Sequence, residues 1–141
     1  MNRKWLLKYA LPAILISILF GGGAYQIWQR SQTQTVAVNC ANPIQGCQFQ
    51  LEQQQVHVNF VGTPSGLHPF TVSVNVADAK IVYAYFTMPD MEMGYNRYRL
   101  TPSAPQLWQA RVVLPICVTG RRDWILTLDI DGKMFAIPFS G

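Results

Sequence analysis

Three methionines fall within one short connection of the chain, MPDMEM, which contains Met88, Met91 and Met93. Thioethers are soft ligands that select Cu(I), and a connection between secondary-structure elements is normally exposed to water. Pro89 and Gly94 bound the connection and favour a well-defined turn. The pattern therefore predicts a Cu(I) site with the three methionines as ligands. Methionine also fills irregular gaps in a hydrophobic core, so the alternative is that these side chains cap one end of a folded domain.

The two histidines are weaker metal-ligand candidates. His68 lies in a loop directly before Pro69, and it would complete a metal site with the methionines if the loops converge at one end of the domain. A histidine in a loop is otherwise simply solvated. His57 alternates with Val56 and Val58, which places it on the outward side of a predicted strand.

The three cysteines allow one disulfide and leave one thiol over. Cys40 and Cys47 enclose ANPIQG, whose Asn-Pro and Gly suit a tight turn, so their pairing is geometrically the simplest. Cys117 would then be a free thiol. The spacing C-x6-C matches neither a redox C-x-x-C motif nor a zinc site. The unpaired cysteine could form an intermolecular disulfide or bind a metal as a thiolate.

The charge distribution argues against nucleic acid as a partner. The chain has eleven basic and seven acidic residues. Three of the basic residues precede the first apolar segment, and the remainder of the chain is close to electrical balance. Four arginines could still form a local basic patch, although alternating arginines usually belong to the solvated face of a strand: Arg97, Arg99, Arg121 and Arg122. There is also no phosphate-binding glycine loop, no G-x-S-x-G and no H-E-x-x-H, so we expect no enzyme.

Residues 9–28 form an uncharged apolar segment that is long enough to cross a bilayer as a helix. Aromatic residues flank it at both ends, and Arg3, Lys4 and Lys8 precede it, which favours a cytoplasmic N-terminus. The alternative is a cleaved secretory signal that ends near Ala24. The predicted organisation is a cytoplasmic N-terminus (1–8), a transmembrane anchor (9–28), a linker (29–39) and a domain exported across the inner membrane (40–141).

Downstream of the linker, hydrophobic residues alternate with polar ones over short segments. Eight such segments are separated by Gly, Pro, Asn and Asp, and Asp131-Gly132 is a two-residue hairpin signal. The pattern predicts an all-β fold, an immunoglobulin-like antiparallel sandwich of about seven or eight strands, preceded by one N-terminal transmembrane helix. Trp108 and Trp124 fall on inward faces and are expected in the core.

From about Phe70 onward, and in its N-terminal anchor, the chain resembles the FixH and YtkA-like family of small bacterial envelope proteins. The residues that carry the resemblance are MPDMEMG after a strand, then LWQARVVLP and GRRDWILTLDIDG. Membership implies an immunoglobulin-like sandwich and a link to copper handling or to the assembly of haem-copper oxidases. Among individual residues it carries over Met88, Met91 and Met93 as a metal-binding loop.

Three functions of different classes follow from these observations. The first is a membrane-anchored accessory protein that binds or delivers Cu(I) and serves a copper-handling or respiratory oxidase partner. The second is a metal-free interaction subunit that uses the methionine loop as an apolar contact. The third is a thiol-redox protein that acts through Cys117 or through the Cys40 and Cys47 pair.

Overall fold

The structure is a computed structural model that describes residues 34–40, 42–91, 96–116 and 119–141. The predicted transmembrane segment, residues 9–28, lies outside these ranges. Within them, no helix is long and apolar enough to span a membrane.

The described residues form ten strands in two five-stranded sheets. Sheet A has the strand order β1-β10-β9-β5-β6, and sheet B has the order β2-β3-β4-β8-β7. Neighbouring strands are antiparallel except for β1 and β10, which pair in parallel. In chain order the strands are β1 (Thr35–Ala37), β2 (Cys47–Leu51), β3 (Gln54–Val61), β4 (Pro69–Asn75), β5 (Val82–Thr87), β6 (Arg97–Arg99), β7 (Thr101–Ala104), β8 (Leu107–Val113), β9 (Asp123–Ile130) and β10 (Lys133–Ser140).

The two sheets pack face to face because each strand turns every second side chain inward. In β9, Trp124, Leu126, Leu128 and Ile130 are buried, while the residues between them are not. Aromatic rings join the sheets, with Phe60 and Phe70 of sheet B against Phe139 and Phe86 of sheet A. The predicted all-β class is therefore confirmed. Of the two tryptophans expected in the core, Trp124 is buried and Trp108 is partly buried against the core.

The β9–β10 hairpin turns at Asp131-Gly132, as the sequence predicts. Both residues have positive φ, 51° and 87°, which a two-residue hairpin of this kind requires. The Asp131 carboxylate accepts hydrogen bonds from the backbone N–H groups of Lys80 and Ile81. The turn therefore also fixes the connection between β4 and β5.

Two strands occupy segments in which the sequence predicts none. β1 lies within residues 29–39, which we expected to be linker. Its backbone pairs with β10, and the next residue, Val38, is buried, so the sheet begins earlier than predicted. β7 contains Pro102 and lies at the edge of sheet B, where proline is tolerated because no ladder hydrogen bond is needed on the outer side.

The Cys40–Cys47 disulfide links the segment that follows β1 to the first residue of β2. The two Cα atoms are 5.6 Å apart, and this is the pairing that the sequence favours. Because β1 belongs to sheet A and β2 to sheet B, the bond joins the two sheets at the point where the chain crosses between them. Cys117 lies outside the described residues.

Replacing both cysteines with alanine is expected to lower the free energy of unfolding by about 2–3 kcal/mol, because the short closed loop no longer restricts the unfolded chain. Urea unfolding of the oxidised wild type and of the Cys40→Ala/Cys47→Ala variant measures the difference. Wild type in reductant should show a similar loss, whereas the variant should not respond to reductant. A non-reducing peptide map that links Cys117 to either partner would contradict the assignment.

Candidate functional site

Most of the predicted site residues that the structure describes lie at one end of the sandwich. We call this end the loop end. There β3, β5 and β8 end and β4 and β9 begin, as the pairs Val61–Thr71, Pro69–Val113 and Thr87–Ile125 show. The chain enters the sandwich through β1 at the opposite end, where Thr35 pairs with Met134. The loop end therefore holds the connection after β5 and the loop before β4.

The methionine connection opens with a tight turn. Met88 and Met91 form an isolated antiparallel bridge, and the backbone N–H of Met91 donates to the carbonyl oxygen of Met88 at 3.4 Å. Pro89 takes the second position of the turn, and Asp90 takes the third with φ 57°. Proline at the second position and a positive φ at the third are the requirements of a type II turn. The defined turn that Pro89 predicts is present.

The expectation that this connection meets water is wrong for Met88. Only 3% of Met88 is exposed, and it belongs to the hydrophobic core. The cause is the strand period, since Val82, Ala84 and Phe86 point inward and Met88 continues the same alternation. Met91 is half-buried and also packs against the core. Met93 lies outside the described residues.

The bridge brings two of the three predicted thioether ligands together. Directly opposite residues of an antiparallel pair point to the same side, with Cβ atoms about 4.5–5.5 Å apart. The side chains of Met88 and Met91 therefore leave the turn on the same side, and both pack against the core. Two soft donors in a region with little water suit a soft monovalent cation such as Cu(I) better than a hard cation.

His68 lies at the loop end, in an exposed position. Its Nδ1 is 3.1 Å from the carbonyl oxygen of Gly66. Because a carbonyl only accepts, Nδ1 is the donor in this contact, and in a neutral ring Nε2 then keeps a lone pair. Nε2 is therefore the ring nitrogen that could bind a metal. His57 pairs with Asn75 at the far end of β4, so the structure does not bring it to the loop end.

Harder metal ligands do not cluster in the part of the chain that the structure describes. No group of three or more His, Cys, Asp or Glu side chains there is arranged to hold a metal ion. Thioether sulfur is a different kind of donor from these groups, so this absence does not bear on Met88 and Met91.

The loop end also carries exposed aliphatic side chains that the sequence patterns did not single out. Leu67 is 64% exposed, Ile116 62% and Val61 56%, and Val113 is exposed beside them. We call Val61, Leu67, Val113 and Ile116 the apolar rim. Leu67 has φ 63°, which is costly for a leucine, and its N–H donates to the carbonyl oxygen of Leu114. One sequence signal could have indicated this surface. It was the leucine in the loop TPSGLHP, which lies outside the alternating pattern of any strand.

A groove of about 430 Å³ opens beside the apolar rim. The loop Thr63–Gly66 forms one side of it, Ile116 and Arg122 lie on the other, and Trp124 lines it. Arg121 forms an ion pair with Asp123, and the hydrogen bonds from its guanidinium lower the pKa of that carboxyl. The groove therefore combines an apolar surface with the cation of Arg122.

The four arginines of the predicted basic patch have different environments. The guanidinium carbon of Arg97 lies 3.6 Å from the centre of the Tyr83 ring and 5.1 Å from that of Tyr85, a cation–π arrangement. This contact partly covers the outer face of β5, where the sequence alternation is blurred. Arg121 is held by Asp123. Arg99 is exposed on β6.

Comparison of the chain with protein-family models, with curated proteins and with solved structures finds no match.

Proposed function

We propose that this protein is a non-catalytic accessory protein of the cell envelope, with an immunoglobulin-like domain held outside the cytoplasm by residues 9–28 in the inner membrane. The strand order supports the immunoglobulin-like assignment. β3-β4-β8-β7 follows the A-B-E-D order of one immunoglobulin sheet, and β5-β9-β10 follows the C-F-G order of the other. The apolar segment and the basic residues before it support the anchor.

The loop end binds Cu(I) through the thioethers of Met88 and Met91. The observation that carries this proposal is the Met88–Met91 bridge, which pairs two soft donors on one side of a turn. Met91 is only half-buried and forms the accessible side of the pair, while the burial of Met88 keeps water away from the other side. Met93 and the Nε2 atom of His68 are the further ligands, and the partner is a copper-handling protein or a respiratory oxidase under assembly.

Anaerobic titration of Cu(I) into the full-length protein tests this function. We expect one Cu(I) ion per chain, and no displacement by an excess of Zn²⁺, because thioethers discriminate in favour of the softer ion. A protein that takes up no Cu(I), or that takes up Zn²⁺ equally well, would overturn the metal-binding proposal.

The apolar rim favours a second function, a metal-free contact with an apolar surface of that same partner. The loop holds Leu67 in an unfavourable backbone conformation and leaves the side chain in water, an arrangement that contributes little to the fold by itself. Strained backbone of this kind is concentrated at binding sites. A complex that survives copper chelation and is lost on mutation of Leu67 would support this function over the first.

Leu67→Gly is expected to raise the free energy of unfolding by about 0.5–1 kcal/mol, because glycine adopts positive φ without the penalty that leucine has there. Urea unfolding measures the change. Val113→Gly is the matched control, since Val113 is also exposed at the loop end but lies in a strand, where glycine should cost about 1 kcal/mol. A lower stability for Leu67→Gly would show that Leu67 serves the fold.

A further inference from the structure

A second groove, of about 400 Å³, lies where the chain crosses from sheet A to sheet B. The crossing is made at the buried residue Leu100, between β6 and β7. Arg99 precedes the crossing and Thr101 follows it. Neighbouring strands of sheet B complete the groove, which is lined by Thr71, Tyr98, Arg99, Thr101, Gln109, Ala110 and Arg111.

The groove brings together two arginines that the sequence keeps apart. Arg99 comes from the edge of sheet A, and Arg111 comes from β8 in sheet B. Both are exposed. Among the described residues, none accepts a hydrogen bond from either guanidinium group, and none forms an ion pair with it. None of the described residues that line the groove is acidic. Two cations therefore line one shallow, open groove, and the described residues of its walls supply no counter-charge.

The remaining polar side chains of the groove are held in place by the sheets. Gln109 donates through Nε2 to the Ser73 hydroxyl at 2.9 Å, and the Tyr98 hydroxyl donates to the carbonyl oxygen of Val113 at 2.9 Å. Thr71 lies directly opposite Arg111 across the β4–β8 pair. The Thr71 hydroxyl and the two guanidinium groups therefore supply several hydrogen-bond donors to the groove.

We propose that this groove binds a phosphate group, through Arg99 and Arg111 with the Thr71 hydroxyl as an additional donor. Guanidinium groups bind phosphate oxygens in a bidentate manner, and both arginines line this groove. The phosphate is that of the free ion or of a phospholipid headgroup. Neither Met88 nor Met91 lines this groove, so the proposal does not rest on copper binding.

The binding should be weak and sensitive to salt, because both arginines are exposed and their charges are screened over a Debye length of about 8 Å at physiological ionic strength. We expect the Arg99→Gln/Arg111→Gln variant of the full-length protein to bind inorganic phosphate at least about 10-fold more weakly than wild type, since it loses two charge-assisted contacts. Titration followed by ³¹P NMR, in detergent and at constant ionic strength, measures the affinity.

Arg122→Gln is the matched control, since Arg122 is another exposed arginine but lies at the groove of the loop end. It should leave phosphate affinity unchanged. The proposal is overturned if wild type shows no preference for phosphate over chloride, or if Arg122→Gln weakens binding as much as the double variant does. Far-UV circular dichroism establishes that all variants are folded.

A second titration, with short-chain phosphatidylglycerol below its micelle concentration, distinguishes the two sources of phosphate. If the headgroup binds several-fold more tightly than the free ion and the double variant loses that binding, the ligand is the lipid. If the free ion binds at least as tightly, the ligand is inorganic phosphate. If neither probe responds to the double substitution, the site does not bind phosphate.

Discussion

Replacing Met88 and Met91 together with leucine is expected to leave the sandwich folded and to weaken Cu(I) binding by more than about 100-fold. Leucine matches methionine closely in volume, and such exchanges in a core usually cost less than about 1.5 kcal/mol per site. The thioether sulfur is lost, however, and even the removal of a partner that only supports a ligand typically costs 10–100-fold in metal affinity. Urea unfolding and anaerobic Cu(I) titration separate the two effects.

Met134→Leu is the matched control for that variant. Met134 is half-buried and pairs with Asp129 on the outer face of sheet A, away from the loop end, so its replacement should alter neither property. Met93→Leu tests the third predicted ligand separately. If the Met88→Leu/Met91→Leu variant keeps its Cu(I) affinity, the two methionines fill the core and their assignment as Cu(I) ligands fails, while the contact function of the apolar rim is unaffected.

Phe86→Ala is expected to destabilise the domain by about 3–5 kcal/mol, the range for removing a large buried aromatic side chain. Phe86 is almost completely buried. Its ring centre is 6.1 Å from that of Phe70, 6.2 Å from that of Phe139 and 6.0 Å from that of Tyr98. Alanine would leave a cavity at the centre of this aromatic cluster, which joins the two sheets next to Met88.

Equilibrium unfolding in urea measures the loss, with Phe49→Ala as the control. Phe49 is only half-buried, and its ring contacts the Phe135 ring at a tilt of 31°, so its removal should cost clearly less. If Phe86→Ala does not fold, Phe86→Leu retains part of the packing and should show a smaller loss that can be measured. A loss for Phe86→Ala no greater than that for Phe49→Ala would show that the aromatic cluster is not the main contact between the sheets.

Most of the sandwich could be predicted because its strands obey a simple period. All eight alternating segments are strands, and β9 and its hairpin begin at the residues expected. The two missed strands are short edge strands. β1 is three residues long, and all of them are exposed, so no alternation marks it. β7 contains Pro102 and is likewise exposed throughout.

The candidate sites were less predictable because they depend on contacts between distant strands. The burial of Met88 could have been found by continuing the inward series of β5 for one more step. The pairing of Met88 with Met91 depends on a turn geometry that Pro89 only suggests. That Arg99 shares a groove with Arg111, and not with Arg97, depends on where the chain changes sheets, which no local pattern indicates.

The parallel pairing of β1 with β10 has a consequence for the order in which the domain can fold. β1 is the first strand that the structure describes and β10 is the last. Thr35 can therefore pair with Met134 only after Met134 has been synthesised. At a synthesis rate of 5–20 residues per second, the intervening roughly one hundred residues take about 5–20 s to appear. During this interval a nascent chain has β1 without its partner and lacks the buried Phe135, Ile137 and Phe139 of β10. Sheet A is therefore completed only after β10 has been made.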